Sequence, residues 1–150
     1  MVKEIWFDMD GTIADLYSVK GWRVALDNEE TEPYENAKVL VNMNALAKVL
    51  NKLIKKGCKV GVISWTARHG SPKYNARVAE VKKNWLKKHL ASVDFSEIHI
   101  VDYGTPKEIF AKNPNSVLFD DNEKIRKNWK GIAFDENNIV ENLKILAKGA

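Results

Sequence analysis

Asp8 and Asp10 stand two residues apart where a short apolar run, Ile5-Trp6-Phe7, ends, and Gly11 and Thr12 follow at once. Two carboxylates aimed at one spot repel each other by several kcal/mol at intermediate dielectric unless a positive charge sits between them. Further polar groups close later apolar runs: Ser64, Trp65 and Thr66 follow Val60-Gly61-Val62-Ile63, and Asp120-Asp121 follow Val117-Leu118-Phe119, with Lys107 between. Three or four carboxylates gathered around one lysine call for a divalent cation. Oxygen donors without His or Cys select a hard ion, Mg²⁺ above all, which keeps several waters and shares its shell with a phosphate. A phosphate ester is therefore the expected substrate. One acid would attack phosphorus while its neighbour protonates the leaving oxygen and later activates water. Asp8, at the strand tip, suits the nucleophile, and Asp10, in the turn, the acid and base. Gly11 lets the backbone approach the phosphoryl group, Thr12 lies beside it in the turn, and the Ser64 hydroxyl and Lys107 ammonium are placed to hold its outer oxygens.

These groups converge only if the chain folds so as to bring the run ends together. Val2 to Asp8, Lys59 to Ile63, Glu97 to Val101, Ser116 to Phe119 and Gly131 to Phe134 read as strands. Between them, Val39, Met43, Leu46, Leu50 and Leu53 recur at helical spacing before Gly57, and Ser71-Pro72 opens a helix carrying Tyr74, Val78, Val81 and Trp85 on one stripe. Thr105-Pro106-Lys107-Glu108 has the form of a capping box, which places Lys107 in the first turn of a short helix. A helix through Ile125 and Trp129 follows Asp120-Asp121, either of which also suits its N-cap, and a last helix carries Ile139, Leu143 and Leu146. Alternating strands and helices argue for an α/β chain with a parallel sheet covered on both faces, whose ligands bind beyond the carboxyl ends of the strands. No repeat or linker divides the 150 residues, which read as one domain.

The set "DMDGT" at 8–12, "VISWT" at 62–66, Lys107 in "GTPK" and "LFDD" at 118–121, in this order, resembles the haloacid dehalogenase superfamily of phosphohydrolases. The resemblance implies a three-layer Rossmann-like sandwich whose five-stranded parallel sheet has the order 5-4-1-2-3, and a Mg²⁺-dependent aspartyl-phosphate mechanism. It implies Asp8 as nucleophile and metal ligand, and Asp10 as acid/base whose backbone carbonyl also reaches the metal. Ser64 and Lys107 become phosphate binders and Asp121 the acidic metal ligand, with Asp120 in support. Ser64 and Thr66 both fit the second motif, and Ser64 is preferred because it directly follows the apolar run. Residues 16–37 leave room for a small cap-like insert of one short helix and a loop. The run "DMDGTIADLY" is similar to that of the 5'(3')-deoxyribonucleotidases, which makes a nucleotide the first choice of substrate and a polynucleotide 3'-phosphate the second. A phospho-accepting signalling domain without turnover is the reading from another class.

Trp65 and Trp22 are expected either to pack or to stack a nucleobase, and Trp6, Trp85 and Trp129 to lie in the core. The three histidines show no metal-ligand spacing and receive no role. A net charge of +4 favours anionic partners, nucleic acid among them, although Lys52, Lys55, Lys56, Lys82, Lys83, Lys87 and Lys88 are spaced like the solvated faces of helices. The single Cys58 excludes an internal disulfide framework, and the strand-like opening does not read as a secretion signal, so a reducing cytoplasm is expected. No apolar stretch approaches the roughly 20 residues needed to cross a bilayer.

Overall fold

Ile5, Trp6 and Phe7 alternate across the central strand of the protein: Ile5 and Phe7 join one buried cluster, Trp6 another on the opposite face. The computed structural model describes residues 1–149. In chain order the elements are β1 (Glu4–Phe7), β2 (Ala14–Asp15), α1 (Trp22–Asp27), α2 (Glu32–Asn36), β3 (Lys38–Val39), α3 (Met43–Lys55), β4 (Lys59–Trp65), α4 (Pro72–His89) and β5 (Glu97–Val101). A 3₁₀ turn (Lys107–Phe110), β6 (Ser116–Phe119), α5 (Glu123–Asn128), β7 (Ile132–Phe134) and α6 (Ile139–Lys148) complete the chain. No described helix is long and apolar enough to cross a membrane.

Five strands form one parallel sheet in the order β5-β4-β1-β6-β7, while β2 and β3 pair antiparallel in a separate two-stranded hairpin. The order 5-4-1-2-3 expected from the sequence therefore needs correcting for this hairpin, which occupies the second and third places in the chain. Counted among the strands of the main sheet alone, the order reads 3-2-1-4-5, the same set of neighbours taken from the opposite edge. Two residues per strand were too few to show as a periodic pattern.

The α3 stripe of Leu46, Val49, Leu50 and Leu53 covers one face of the sheet together with Ile139, Leu143 and Ala147 of α6 and Trp85 and Leu86 of α4. The three leucines of α3 are wholly buried, each worth about 1.5–3 kcal/mol of apolar transfer. Asn42 starts α3 by accepting the Ala45 amide at 3.1 Å, and Gly57 follows its end at a φ of +93°, a conformation that favours glycine. Val39, expected in this helix, lies instead in β3. The other face is thinner: Trp6, Ile63 and Leu118 pack against Trp129, Phe110 and Ile125. Trp6, Trp85 and Trp129 are all buried, as their spacing suggested.

Two further readings are corrected. The insert folds as two short helices, α1 and α2, rather than one helix and a loop. Thr105 caps nothing: its hydroxyl donates to the Asp102 carbonyl at 2.7 Å, and Lys107 opens a 3₁₀ turn with no side-chain cap.

Register is what positions the site. Glu4 to Phe7 pair with Lys59 to Val62 on one side and with Ser116 to Phe119 on the other, so the residues that follow Phe7 and Phe119 emerge side by side. The Leu50→Ala protein should lose about 2–5 kcal/mol of stability through the cavity left under α3. Equilibrium urea unfolding measures this, and a loss within experimental error would refute the assignment of α3 to the core.

Candidate functional site

The ladder continues one step past the strands: the Asp8 amide donates to the Phe119 carbonyl at 2.9 Å and the Asp120 amide to that of Phe134 at 3.0 Å. After Asp8 the chain turns sharply, with the amides of Thr12, Ile13 and Ala14 all directed at the Met9 carbonyl. Gly11 holds φ at +79°, and a β-carbon there would collide with the Asp121 carboxylate and lie 2.8 Å from the Tyr17 ring. Glycine is thus required by conformation and by the approach of the second acidic loop. Thr12 is wholly buried and ties the two loops together. Its hydroxyl donates to Asp8 Oδ2 at 2.9 Å, lies 3.4 Å from Asp121 Oδ1, and accepts the Asp121 amide at 3.1 Å.

Lys107, 2% exposed, donates to Asp8 Oδ1 at 2.9 Å and to Asp120 Oδ2 at 2.7 Å. Asp120 Oδ1 accepts the Asn122 amide at 2.9 Å, so both of its oxygens are engaged; Asn122 itself, not either acid, caps α5. Asp8, Asp120 and Asp121 each bring one carboxylate oxygen to within 4.8 Å of the others. The charges do not balance. Burial pushes the Asp8 carboxyl up, but the Lys107 ammonium and the hydrogen bonds of Asp121 and Lys107 outweigh it and hold it below the usual carboxylate range. Burial and the Asp8 charge push Asp120 up to about 6. Burial, the Asp8 charge and a shared hydrogen bond push Asp121 up to about 8. Burial pulls the Lys107 ammonium down, and the charges of Asp8 and Asp120 more than restore it. Asp121, with no lysine of its own among the described residues, meets the excess negative charge by a raised affinity for a proton. A divalent cation does the same work, and the all-oxygen donor set fits a hard one.

Asp10 stands apart from that cluster. Its Oδ2 accepts from Lys82 at 2.7 Å, and the same ammonium donates to Ser64 Oγ and to the Trp65 carbonyl, each at 2.7 Å, while lying 5.0 Å from the centre of the Tyr34 ring. All three protons of Lys82 are used, at 1% exposure. Burial pushes the Asp10 carboxyl up, and Lys82 only partly opposes it, so the carboxyl lies above its ordinary value. Lys82, spaced like a residue of a solvated helix face, sits instead four residues after Val78 and eight after Tyr74, on the buried stripe of α4. That spacing was a legible signal.

Ser64 is corrected with it. It is wholly buried, its hydroxyl serves Lys82, and it does not face the cavity at the sheet edge. Thr66 does. Its amide donates to the Val101 carbonyl at 2.8 Å, and its buried Oγ1 has no partner among the described residues. Gly11 and Thr12, expected at the substrate, shape the acid cluster from behind the cavity lining.

The cavity, about 590 Å³, has Asp8, Asp10, Asp120, Asp121 and Lys107 at its floor and Thr66 on its wall. Trp65 packs there: its Nε1 donates to the Thr105 carbonyl at 2.9 Å, Lys107 lies 5.3 Å from its ring centre, and Tyr103 stands against it at 4.8 Å. The insert supplies the facing wall through Leu16, Tyr17, Trp22 and Tyr34, with Trp22 edge-on to Tyr17 at 5.2 Å. It is tied to the start of α4, where Glu29 accepts the Ser71 amide at 2.8 Å and hydroxyl at 2.9 Å, and Tyr74 donates to the Glu30 carbonyl at 2.7 Å.

No family model matches the chain, and no curated protein does. Among solved structures it is similar to the D,D-heptose 1,7-bisphosphate phosphatase of Burkholderia thailandensis, a haloacid dehalogenase superfamily enzyme, at 11% identity and a TM-score of 0.50 over 83% of this chain and 70% of that one. At that identity the likeness concerns the fold.

A carboxyl whose folded-state pKa lies above its unfolded value contributes stability at low pH and loses that contribution as pH rises through the folded value. Asp121 therefore destabilises the metal-free protein progressively from about pH 4 to about pH 8, Asp120 acts in the same direction, and Asp8, held low, acts oppositely but below that window. Melting temperature after chelation should fall as pH rises across it, and added Mg²⁺ should raise the melting temperature more near pH 8 than near pH 6; equal shifts at both would refute the charge balance described. Replacing Lys82 by Met leaves Asp10 and Ser64 without their shared donor and should cost about 3–5 kcal/mol, as loss of one partner of a buried ion pair does. Urea unfolding of that variant beside Lys83→Met, an exposed neighbour expected to be neutral, checks the burial of Lys82.

Proposed function

We propose that this chain, on a fold it shares with a haloacid dehalogenase phosphatase, hydrolyses phosphate monoesters through an aspartyl-phosphate with Mg²⁺ as cofactor, and that its substrate is a nucleotide. The observation that carries the reading is the convergence of Asp8, Asp120 and Asp121 at the strand ends with Lys107 among them, while Asp10 stands beside them on a lysine of its own. A domain that only accepted a phosphoryl group would need the first set and not the second.

Asp8, Asp121 and, through its carboxylate or its support of the others, Asp120 would hold the ion, with the Asp10 carbonyl as the further ligand that the resemblance implies. Bound there, Mg²⁺ would neutralise the excess charge and polarise a phosphoryl oxygen. Asp8 attacks phosphorus through a carboxylate oxygen, forming the acyl phosphate as the bond from phosphorus to the ester oxygen breaks. Asp10 donates its proton to that oxygen, so the leaving group departs as an alcohol. A water then attacks phosphorus, Asp10 takes its proton, and inorganic phosphate leaves with the Asp8 carboxylate restored. The raised Asp10 carboxyl suits a group that must hold a proton before it gives one away. Lys82 holds one Asp10 oxygen and leaves the other for this traffic. Lys107 and the unpartnered Thr66 hydroxyl hold the outer oxygens of the phosphoryl group as charge spreads over them. Trp65 serves as the wall that orients Lys107.

A nucleotide is supported by the aromatic rings of Tyr17, Trp22 and Tyr103 around the mouth and by the small insert, read as a cap on a single domain. A 3'-phosphate at a polynucleotide end is the second reading, supported by the net charge of +4.

The protein should turn over p-nitrophenyl phosphate repeatedly with Mg²⁺ and lose that activity on chelation. Asp8→Asn should lower kcat by at least about 10³-fold, and Thr66→Val by about 10–100-fold, the loss of one transition-state donor. Failure of every phosphate ester to turn over with Mg²⁺ would overturn the proposal.

A further inference from the structure

Above the acidic floor, the cavity changes character. Arg23 and Arg68, on opposite elements, both reach its lining, from α1 of the insert and from the loop between β4 and α4. Each guanidinium lies over an aromatic ring, Arg23 at 5.2 Å from the centre of Trp22 and Arg68 at 5.7 Å from that of Tyr103. A cation–π contact uses the charge of the guanidinium and leaves its N–H donors available to a ligand. Neither arginine has a hydrogen bond or ion pair among the described residues. Asp27 lines the same cavity without pairing to either, and the other acids of the lining are Asp8, Asp10, Asp120 and Asp121 of the site itself.

Two arginines over aromatic rings in the lining of a phosphate-ester site are surplus to the proposed chemistry, in which Lys107 and a bound cation would meet the scissile group. Both arginines are exposed, and a neutral sugar as leaving group would offer them hydroxyl oxygens but no anion to meet two positive charges. We infer that the leaving group carries a second phosphoryl group, and that Arg23 and Arg68 bind it. The inference rests on the phosphatase reading and narrows it to substrates with two phosphoryl groups, whether as a small bisphosphate or as a phosphodiester next to a terminal phosphate. Planar guanidinium donors match either one.

Phosphate release in Mg²⁺ tests this with a nucleoside 5'-monophosphate, a nucleoside 3'-monophosphate, the matching 3',5'-bisphosphate and a 3'-phosphorylated dinucleotide, using p-nitrophenyl phosphate to report on the chemistry alone. The wild type should prefer the bisphosphate or the dinucleotide over its monophosphate by about tenfold or more in kcat/KM, and Arg23→Gln with Arg68→Gln should bring that ratio near one, as loss of charge-assisted hydrogen bonds would. Lys88→Gln, at the far end of α4, removes the same kind of charge and should keep the ratio. Preference for the bisphosphate identifies a small molecule, and preference for the dinucleotide identifies a nucleic-acid end. Turnover of p-nitrophenyl phosphate without preference for either doubly charged substrate, or a preference that survives the double substitution, overturns the inference and leaves the phosphatase reading standing. Absence of all turnover overturns that reading instead. Calorimetric titration of the bisphosphate and monophosphate into Asp8→Asn protein then still decides the second site, because equal affinities would refute it.

Discussion

Four carboxylates gathered at the edge of a sheet repel one another, and the way that repulsion is met organises this molecule. Lys107 answers Asp8 and Asp120, Lys82 answers Asp10, and Asp121, without a lysine among the described residues, has its carboxyl pushed up by burial and the Asp8 charge. An ion pair buried this deeply contributes little net stability, because desolvating both charges costs about as much as their attraction returns. What it fixes is arrangement. Each acid is assigned a partner, and the acid left without one marks where a further positive charge belongs.

The arrangement is imposed by main chain before any side chain takes part. Parallel pairing of β1 with β6 in strict register carries Asp8 and Asp120 out of the sheet as neighbours. A one-residue slip would turn every side chain to the other face and send one of the two acids into the core. Gly11 and Thr12 then close the loops behind them, the glycine by having no side chain where the Asp121 carboxylate sits, the threonine by bonding both acids' loops with one hydroxyl.

Much of this was legible in the residues, and what was not has physical causes. Strand ends announced themselves through apolar runs stopping at Asp8, Ser64 and Asp120, and Ser71 caps α4 as its position suggests. The β2–β3 hairpin escaped notice because two-residue strands have no period to detect. Ser64 and Thr66 are alike in type and stand two residues apart at the end of β4; what distinguishes them is Lys82, a long-range partner that occupies Ser64. Lys82 was missed because lysines on helices are usually solvated, a habit of composition that overrode the spacing from Tyr74 and Val78. Thr105 had the residue types of a cap, but Pro106 leaves the turn as 3₁₀ and the threonine hydroxyl finds a nearer carbonyl.

α4 connects two parts of this description that are distant in sequence. At its first turn Ser71 is grasped by Glu29 of the insert, and eleven positions later Lys82 grasps Asp10, a span of about 16 Å along one rigid rod. The insert that lines the cavity and the acid proposed as proton donor are therefore held by one rod, so enclosure and alignment share a single mechanical linkage. Redesign of the insert for a new guest would have to leave that linkage at its present length.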